Sequence, residues 1–253
     1  MFNIDKIKIY GDDKRDTMMT LGEYGVVILP DFFTEKQILN LDSELCAIYD
    51  KLAPKDTLYF DSPNHQHVQK NSYVAGKVIR ISPNAYINFP VLSSLFAKNE
   101  WLNSIVDLYY GTPNKKSMQT FATHDFIKRN EEWIDGINHN GGLHFDPWQA
   151  LKFSTYITGA TKETGATRII PGSQPEGQYL RTRVLKETIY NNEPTYNTHE
   201  LFKLSKYQAE DSIYLEVNPG DLVIFDTDLW HGGGEILEEN KERKFVVCHN
   251  RKY

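Results

Sequence analysis

At Gly111-Thr112-Pro113 the chain changes texture, and this change limits its fold more than any other feature. Downstream, apolar and polar residues alternate in short runs bounded by Gly, Pro and Asn. That period predicts strands near 118–128, 150–158, 166–170, 212–217, 221–226 and 243–249. Upstream the patterns are helical. Thr34 and Gln37 have capping-box spacing, and Ile38, Leu41, Leu45, Ile48 and Leu52 follow at steps of three and four. A second helix is expected over 91–110. Gly25-Val26-Val27-Ile28-Leu29-Pro30 reads as a short buried strand, residues 1–16 as a polar arm, and 53–72 as loop. Helices followed by a block of short strands imply an α+β or mainly β fold, a barrel with helical support. The polar stretch 174–211 reads as an insertion between strands, in the manner of a lid. No repeat or low-complexity linker divides the 253 residues, so one domain over 1–253 is expected.

Composition removes several classes. Hydrophobic residues are 40% and charged residues 25% of the chain, which excludes collagen, coiled coil and wholesale disorder. The net charge of −6 argues against nonspecific nucleic-acid binding, which needs a basic footprint. Cys46 and Cys248 cannot build a disulfide framework, and no Cys-x-x-Cys zinc site is present. The polar opening MFNIDKIKIYGDDKRD lacks a signal-peptide core, and no run approaches the ~20 apolar residues of a membrane span. A reducing cytoplasm is therefore the expected location, with a small-molecule partner and an open oligomeric state.

Three segments carry chemistry. In Gly142-Leu143-His144-Phe145-Asp146-Pro147, His144 and Asp146 are two apart, so on a strand they share a face and can offer a nitrogen and an oxygen to one metal. Alone this pair is common, and a polar strand end explains it equally well. Pro219-Gly220-Asp221 launches an apolar strand that leads to His231 and three glycines. The glycines let the backbone pass close to something bulky, or make a flexible turn. In Arg243-Lys244-Phe245-Val246-Val247, alternation puts Arg243 with Phe245 and Val247. A guanidinium on a buried face needs an anion, either a ligand carboxylate or a protein acid, unless the strand is turned so that Arg243 faces solvent. Two His and one carboxylate with open positions form the facial triad of non-haem Fe(II) oxygenases.

These segments resemble the phytanoyl-CoA dioxygenase-like family of Fe(II)/2-oxoglutarate oxygenases. Besides the three above, Thr164-Gly165-Ala166-Thr167-Arg168-Ile169-Ile170-Pro171-Gly172-Ser173 is similar to its Gly-x-x-x-x-x-Pro-Gly-Ser segment. Gly220-Asp221 before the distal histidine and Glu23 to Pro30 before a capped helix are also similar, so the resemblance runs from about residue 18 to the end. It implies a double-stranded β-helix (jelly-roll, cupin-like) barrel. It also implies His144, Asp146 and His231 as iron ligands, and Arg243 as the clamp on the distal carboxylate of 2-oxoglutarate. The implied reaction couples decarboxylation of 2-oxoglutarate by O2 to hydroxylation of a small metabolite. A ligand-binding metal barrel without turnover and a cupin-like isomerase are the competing readings. Two positions depart from the pattern: Gln174 stands where His is frequent, and Gly233 where Ser is.

Other side chains have two readings each. Lys128, on the strand before His144, holds an anion or faces solvent. His139 belongs to the site or to a loop, and His65 and His67 form a pocket rim or a loop. Asp226 and Asp228 are alternative carboxylates should Asp146 point away. Trp148 walls the pocket or packs in the core. Arg168, Arg181 and Arg183 receive an anionic substrate or lie on a solvated face. Cys248 reads as core.

Overall fold

The computed structural model describes residues 2–70, 76–111, 113, 116–125, 142–191, 201–234, 236–237 and 241–252. Its helices are α1 (Lys14–Tyr24), α2 (Glu35–Tyr49), the single turn α3 (Pro90–Leu92), α4 (Glu100–Tyr110) and α5 (Gln174–Asn191). Its strands are β1 (Val26–Leu29), β2 (Asp56–Ser62), β3 (His65–Lys70), β4 (Lys77–Ile81), β5 (Lys116–Asp125), β6 (Ala150–Tyr156), β7 (Arg168–Ile169), β8 (Ile213–Tyr214), β9 (Leu222–Asp226), β10 (His231–Gly232) and β11 (Arg243–Lys252). The large sheet runs β1-β9-β6-β11-β5-β4-β2-β3 and the small sheet β10-β7-β8. All pairs are antiparallel except β2 with β4. An isolated bridge joins His144 to His231 and extends the small sheet. This is the α+β jelly roll that the texture change and the resemblance predict.

The two faces of the large sheet bury different things. Val26, Ile28, Tyr156, Val223 and Phe225 turn inward and meet Ile169, Leu215 and Val217 of the small-sheet side. Val27, Leu29, Ile79, Ile81, Leu151, Phe153, Ile224, Val246 and Cys248 turn outward, against Ile38, Leu41, Leu45 and Tyr49 of α2 and Leu102, Ile105 and Val106 of α4. The alternation along each strand thus supplies a barrel interior and a helix-covered exterior. The helices are capped as their sequences require. The Gln37 amide donates to Thr34 Oγ1 at 3.3 Å while Thr34 N donates to Gln37 Oε1 at 2.8 Å. Asn99 caps α4, which ends at Gly111 with φ 69°.

Two expectations are corrected. Residues 1–16 are not a plain arm, because a 3-10 turn spans Ile4–Ile7 and α1 begins at Lys14. Asp13 caps α1 by accepting from Arg15 N and Asp16 N at 2.8 and 3.0 Å. Residues 53–72 are not loop. They form the hairpin β2–β3, with Pro63 and Asn64 at its turn, and β2 joins the sheet through β4. The stretch 174–211 lies between β7 and β8 and opens with the helix α5. Its first turns are pinned: Arg181 grips Asp228 through both terminal nitrogens, and Glu176 accepts from Trp230 Nε1 at 2.7 Å and Ser205 Oγ at 2.5 Å.

Candidate active site

His144 lies on the bridge at the end of the small sheet, Asp146 two residues on, and His231 at the start of β10. Paired backbone bonds, His144 N to His231 O at 2.9 Å and His231 N to His144 O at 2.8 Å, hold the two histidines opposite each other. One ligand atom from each of the three residues falls within 4.8 Å of the others. Asp146 Oδ1 is 3.3 Å from His231 Nε2 and 3.8 Å from His144 Nε2. Each imidazole donates its Nδ1–H to a carbonyl, His144 to Gly142 at 3.1 Å and His231 to Leu229 at 2.8 Å. Both Nε2 lone pairs therefore turn to the shared centre, the tautomer that a metal ligand needs. The donor set fits a divalent transition metal with open positions.

The glycines after His231 serve close approach. A Cβ at Gly232 would sit 2.8 Å from Gly142 O, and one at Gly234 would sit 2.3 Å from Ala166 O. Only a residue without Cβ lets these backbones pass.

One member of the centre escapes sequence reasoning. Lys152, on β6, is buried and extends Nζ to 2.9 Å from Asp146 Oδ2 and 3.1 Å from His231 Nε2. Burial alone would raise the Asp146 carboxyl, but Lys152 and then His231 outweigh it and hold it well below the ordinary carboxylate range. His249 of β11 stands beside them, its Nδ1 3.9 Å from Asp146 Oδ2. Burial, then the Lys152 charge, keeps His249 well below its ordinary value, so it is a neutral imidazole.

Arg243 opens β11 on the inward face, as the alternation predicts, and is 5% exposed. Its Nε and Nη2 donate to Asp125 Oδ2 at 3.2 and 2.6 Å. Its Nη1 donates to Gly165 O and, at 3.1 Å, to Gly234 O. The guanidinium lies 5.0 Å from the Phe245 ring centre. Asp125 is thus a protein anion for Arg243, a partner that sequence spacing does not reveal.

The remaining candidates scatter. Lys128 and His139 lie outside the described residues. Asp226 accepts from Tyr109 Oη at 2.7 Å, and Asp228 is taken by Arg181, so neither replaces Asp146 and Arg181 faces a protein acid. Trp148 is 61% exposed, and Cys248 is core. Arg168 pairs with Gly232 across β7 and β10, and Arg183 lies exposed on α5. Gln174 donates to Gly22 O at 3.1 Å, tying α5 to α1. His65 and His67 converge on Asp61 Oδ2 at 2.9 and 3.2 Å on the exposed hairpin, far along the sheet from β11. A cleft of about 770 Å3 lined by Phe2, Ile4, Lys162, Tyr207 and Tyr214 contains none of the triad residues.

The profile of the phytanoyl-CoA dioxygenase (PhyH) family matches residues 21–244. The chain belongs to that family, and so to the non-haem Fe(II)/2-oxoglutarate-dependent enzymes. Solved structures share its fold at low identity. EvdO2 from Micromonospora carbonacea var. aurantiaca, complexed with 2-oxoglutarate, has TM-score 0.55 and 14% identity, over 94% of this chain and 91% of that one. EctD from S. alaskensis with bound Fe has TM-score 0.57 and 13% identity, over 96% and 78%. The epimerase SnoN, in complex with Fe3+, alpha ketoglutarate and nogalamycin RO, has TM-score 0.56 and 11% identity, over 94% and 83%. No curated protein sequence matches the chain.

Proposed function

We propose that the protein is a dioxygenase that hydroxylates an unactivated C–H bond of a small metabolite and releases succinate and CO2. The observation that carries this reading is the convergence of His144 Nε2, His231 Nε2 and Asp146 on one centre, with both Nδ1 atoms committed to carbonyls. His144, Asp146 and His231 hold Fe(II), which together with 2-oxoglutarate and O2 supplies the oxidising chemistry. Two sources support the cofactors: the family match and the Fe or 2-oxoglutarate in EctD, EvdO2 and SnoN. Lys152, 2.9 Å from Asp146 Oδ2, keeps that carboxylate ionised, the form that would hold the metal. Arg243 takes the distal carboxylate of 2-oxoglutarate, supported by its burial on the inward face beside Gly234, three residues from His231. Lys128, as a second cation for the cosubstrate, remains part of the reading. The surrounding apolar walls, Phe225 among them, exclude water from the reacting atoms.

Epimerisation is the second reading, because SnoN is an epimerase with this fold. Product analysis separates the two, since hydroxylation adds an oxygen and epimerisation leaves the mass unchanged. Residues 1–253 act as one catalytic unit in this proposal, and the family match over most of the chain supports that. A reducing cytoplasm suits two cysteines that stay free, and among the described residues no helix is long and apolar enough to cross a membrane.

The test is an anaerobic titration. Fe(II) plus 2-oxoglutarate should produce a weak visible charge-transfer band in the wild type. The band should vanish in His144→Ala, Asp146→Ala and His231→Ala, and once O2 is admitted so should succinate release above the uncoupled background. A His231→Ala variant with wild-type turnover would sink the ligand assignment.

A further inference from the structure

A row of cation and ring contacts runs across the inward face of the large sheet, from the triad to the sheet edge. It starts at His249, whose ring centre is 4.9 Å from that of Phe121 on β5. Arg80 on β4, in register with Phe121, sets its guanidinium 4.8 Å from the Phe121 ring centre and 5.4 Å from that of Tyr59 on β2. Tyr59 in turn stacks on His67 of β3, with centres 4.8 Å apart and planes at 3°. Arg80 thus lies against two aromatic rings, on the face turned toward the candidate metal centre.

The charges on this face do not balance. Its described strand positions carry four cationic side chains: Arg80, Lys152, Arg243 and Arg251. Lys152 faces Asp146, and Arg243 faces Asp125. Among the described residues no carboxylate pairs with Arg80 or Arg251. Each also keeps a buried Nε without a hydrogen-bond partner among the described residues. Ring contact stabilises a guanidinium but satisfies none of its N–H groups. A buried donor without an acceptor costs free energy, and these two, on the face turned toward the metal centre, are open to an acceptor on a ligand. The chain has net charge −6, yet among the described residues no acid lies against these arginines.

We propose that the primary substrate is a small organic anion whose carboxylate or phosphate is bound by Arg80, with Arg251 as a second cation on the other side of His249. The planar fork matches either oxyanion by a two-point contact. Two strand spacings separate β4 from β11, so the anionic group lies roughly 10 Å across the sheet from His249. The carbon to be oxidised is accordingly several bonds away from the charge. Phe121 and Tyr59 offer flat apolar surface to the part between. This inference rests on the triad reading given under Proposed function.

The experiment uses the full chain under argon with Fe(II) and 2-oxoglutarate. The probes are matched pairs: 3-phenylpropionate with 3-phenylpropionamide, hexanoate with hexanamide, phenyl phosphate with phenol, and inorganic phosphate alone. Thermal unfolding reports binding, and the visible band reports the cosubstrate. The anionic members should raise the unfolding temperature and their uncharged counterparts should not. Whether carboxylates or phosphates act more strongly identifies the group. In Arg80→Lys, which keeps the charge against the rings, and in Arg251→Met, affinity for the anion should fall at least tenfold while the 2-oxoglutarate titration stays unchanged. The proposal is overturned if no anionic probe binds, if the amides bind equally well, or if the variants weaken 2-oxoglutarate instead. Should the wild type show no visible band, the triad reading fails. Anion binding lost in Arg80→Lys would then still uphold the anion site.

Discussion

Arg243 makes the sharpest demand on the cosubstrate reading, because its donors are already largely engaged. A guanidinium has five N–H groups. Two go to Asp125 Oδ2, at 3.2 and 2.6 Å, and two go to the carbonyls of Gly165 and Gly234. One N–H on Nη2 is left over, so a two-point contact with a ligand carboxylate requires Asp125 to give up a share. Arg243→Ala leaves Asp125 buried without its cation, which should cost about 3–5 kcal/mol of stability. Against total stabilities of roughly 5–15 kcal/mol, that variant is expected to fold poorly. Arg243→Lys keeps the charge and loses the fork. Losing one charge-assisted bond of about 1.5–3 kcal/mol should weaken 2-oxoglutarate by roughly ten- to a hundredfold, with metal binding nearly intact. Asp125→Asn removes the competing anion and should leave 2-oxoglutarate binding as tight or tighter. The assays are the anaerobic titration of the visible band and a denaturant melt. Unchanged 2-oxoglutarate affinity in Arg243→Lys, with a large stability loss in Arg243→Ala, would refute the clamp. Arg243 would then be the structural partner of Asp125, and Lys152 the better candidate for the carboxylate.

Other perturbations read other parts of the structure. Lys152→Met removes a cation 3.1 Å from His231 Nε2, so Co(II) should bind at least tenfold tighter in titrations without 2-oxoglutarate; weaker binding would mean that Lys152 assembles the site rather than competes with the metal. Thr34→Ala breaks the capping box of α2 and should cost about 1 kcal/mol in a denaturant melt, leaving the visible band untouched. Glu176 is lowered: burial pushes it up, but Ser205, the Lys206 amide and Trp230 together outweigh burial. The unfolded chain therefore takes up this proton first as pH falls. Stability from Glu176 is full above about pH 4.5 and is lost as pH falls through the lowered folded value. Melts from pH 6 to pH 3 should show this loss in the wild type and a shallower one in Glu176→Gln; parallel curves would remove Glu176 from the account.

What the sequence made legible is what is local. The Thr34–Gln37 box, the apolar run of β9 and the His-x-Asp pair are each contained within a few residues, so their chemistry shows in the order of residues alone. The hairpin β2–β3 did not show because β3 exposes all six of its residues, leaving no apolar period to read. In α1 only Thr17 and Leu21 of eleven residues are buried, too few for a helical stripe. Lys152 was hidden for the opposite reason. Leu151-Lys152-Phe153-Ser154 alternates, which reads Lys152 as facing solvent, but both faces of β6 are buried. Its role follows only from pairing, since β6 lies between β9 and β11 and turns Lys152 toward Phe225, His249 and the triad. The same holds for Asp125 and Arg243, which meet because β5 and β11 pair residue for residue across more than a hundred positions of chain. Ligands at the ends of short strands can be named from a motif. The charges that tune those ligands sit on the middle strands, and only the register of the sheet decides which of them share a face. Arg80 on β4 and Arg251 on β11, which face no carboxylate among the described residues, are legible only in the folded sheet, and the proposed anion site rests on them.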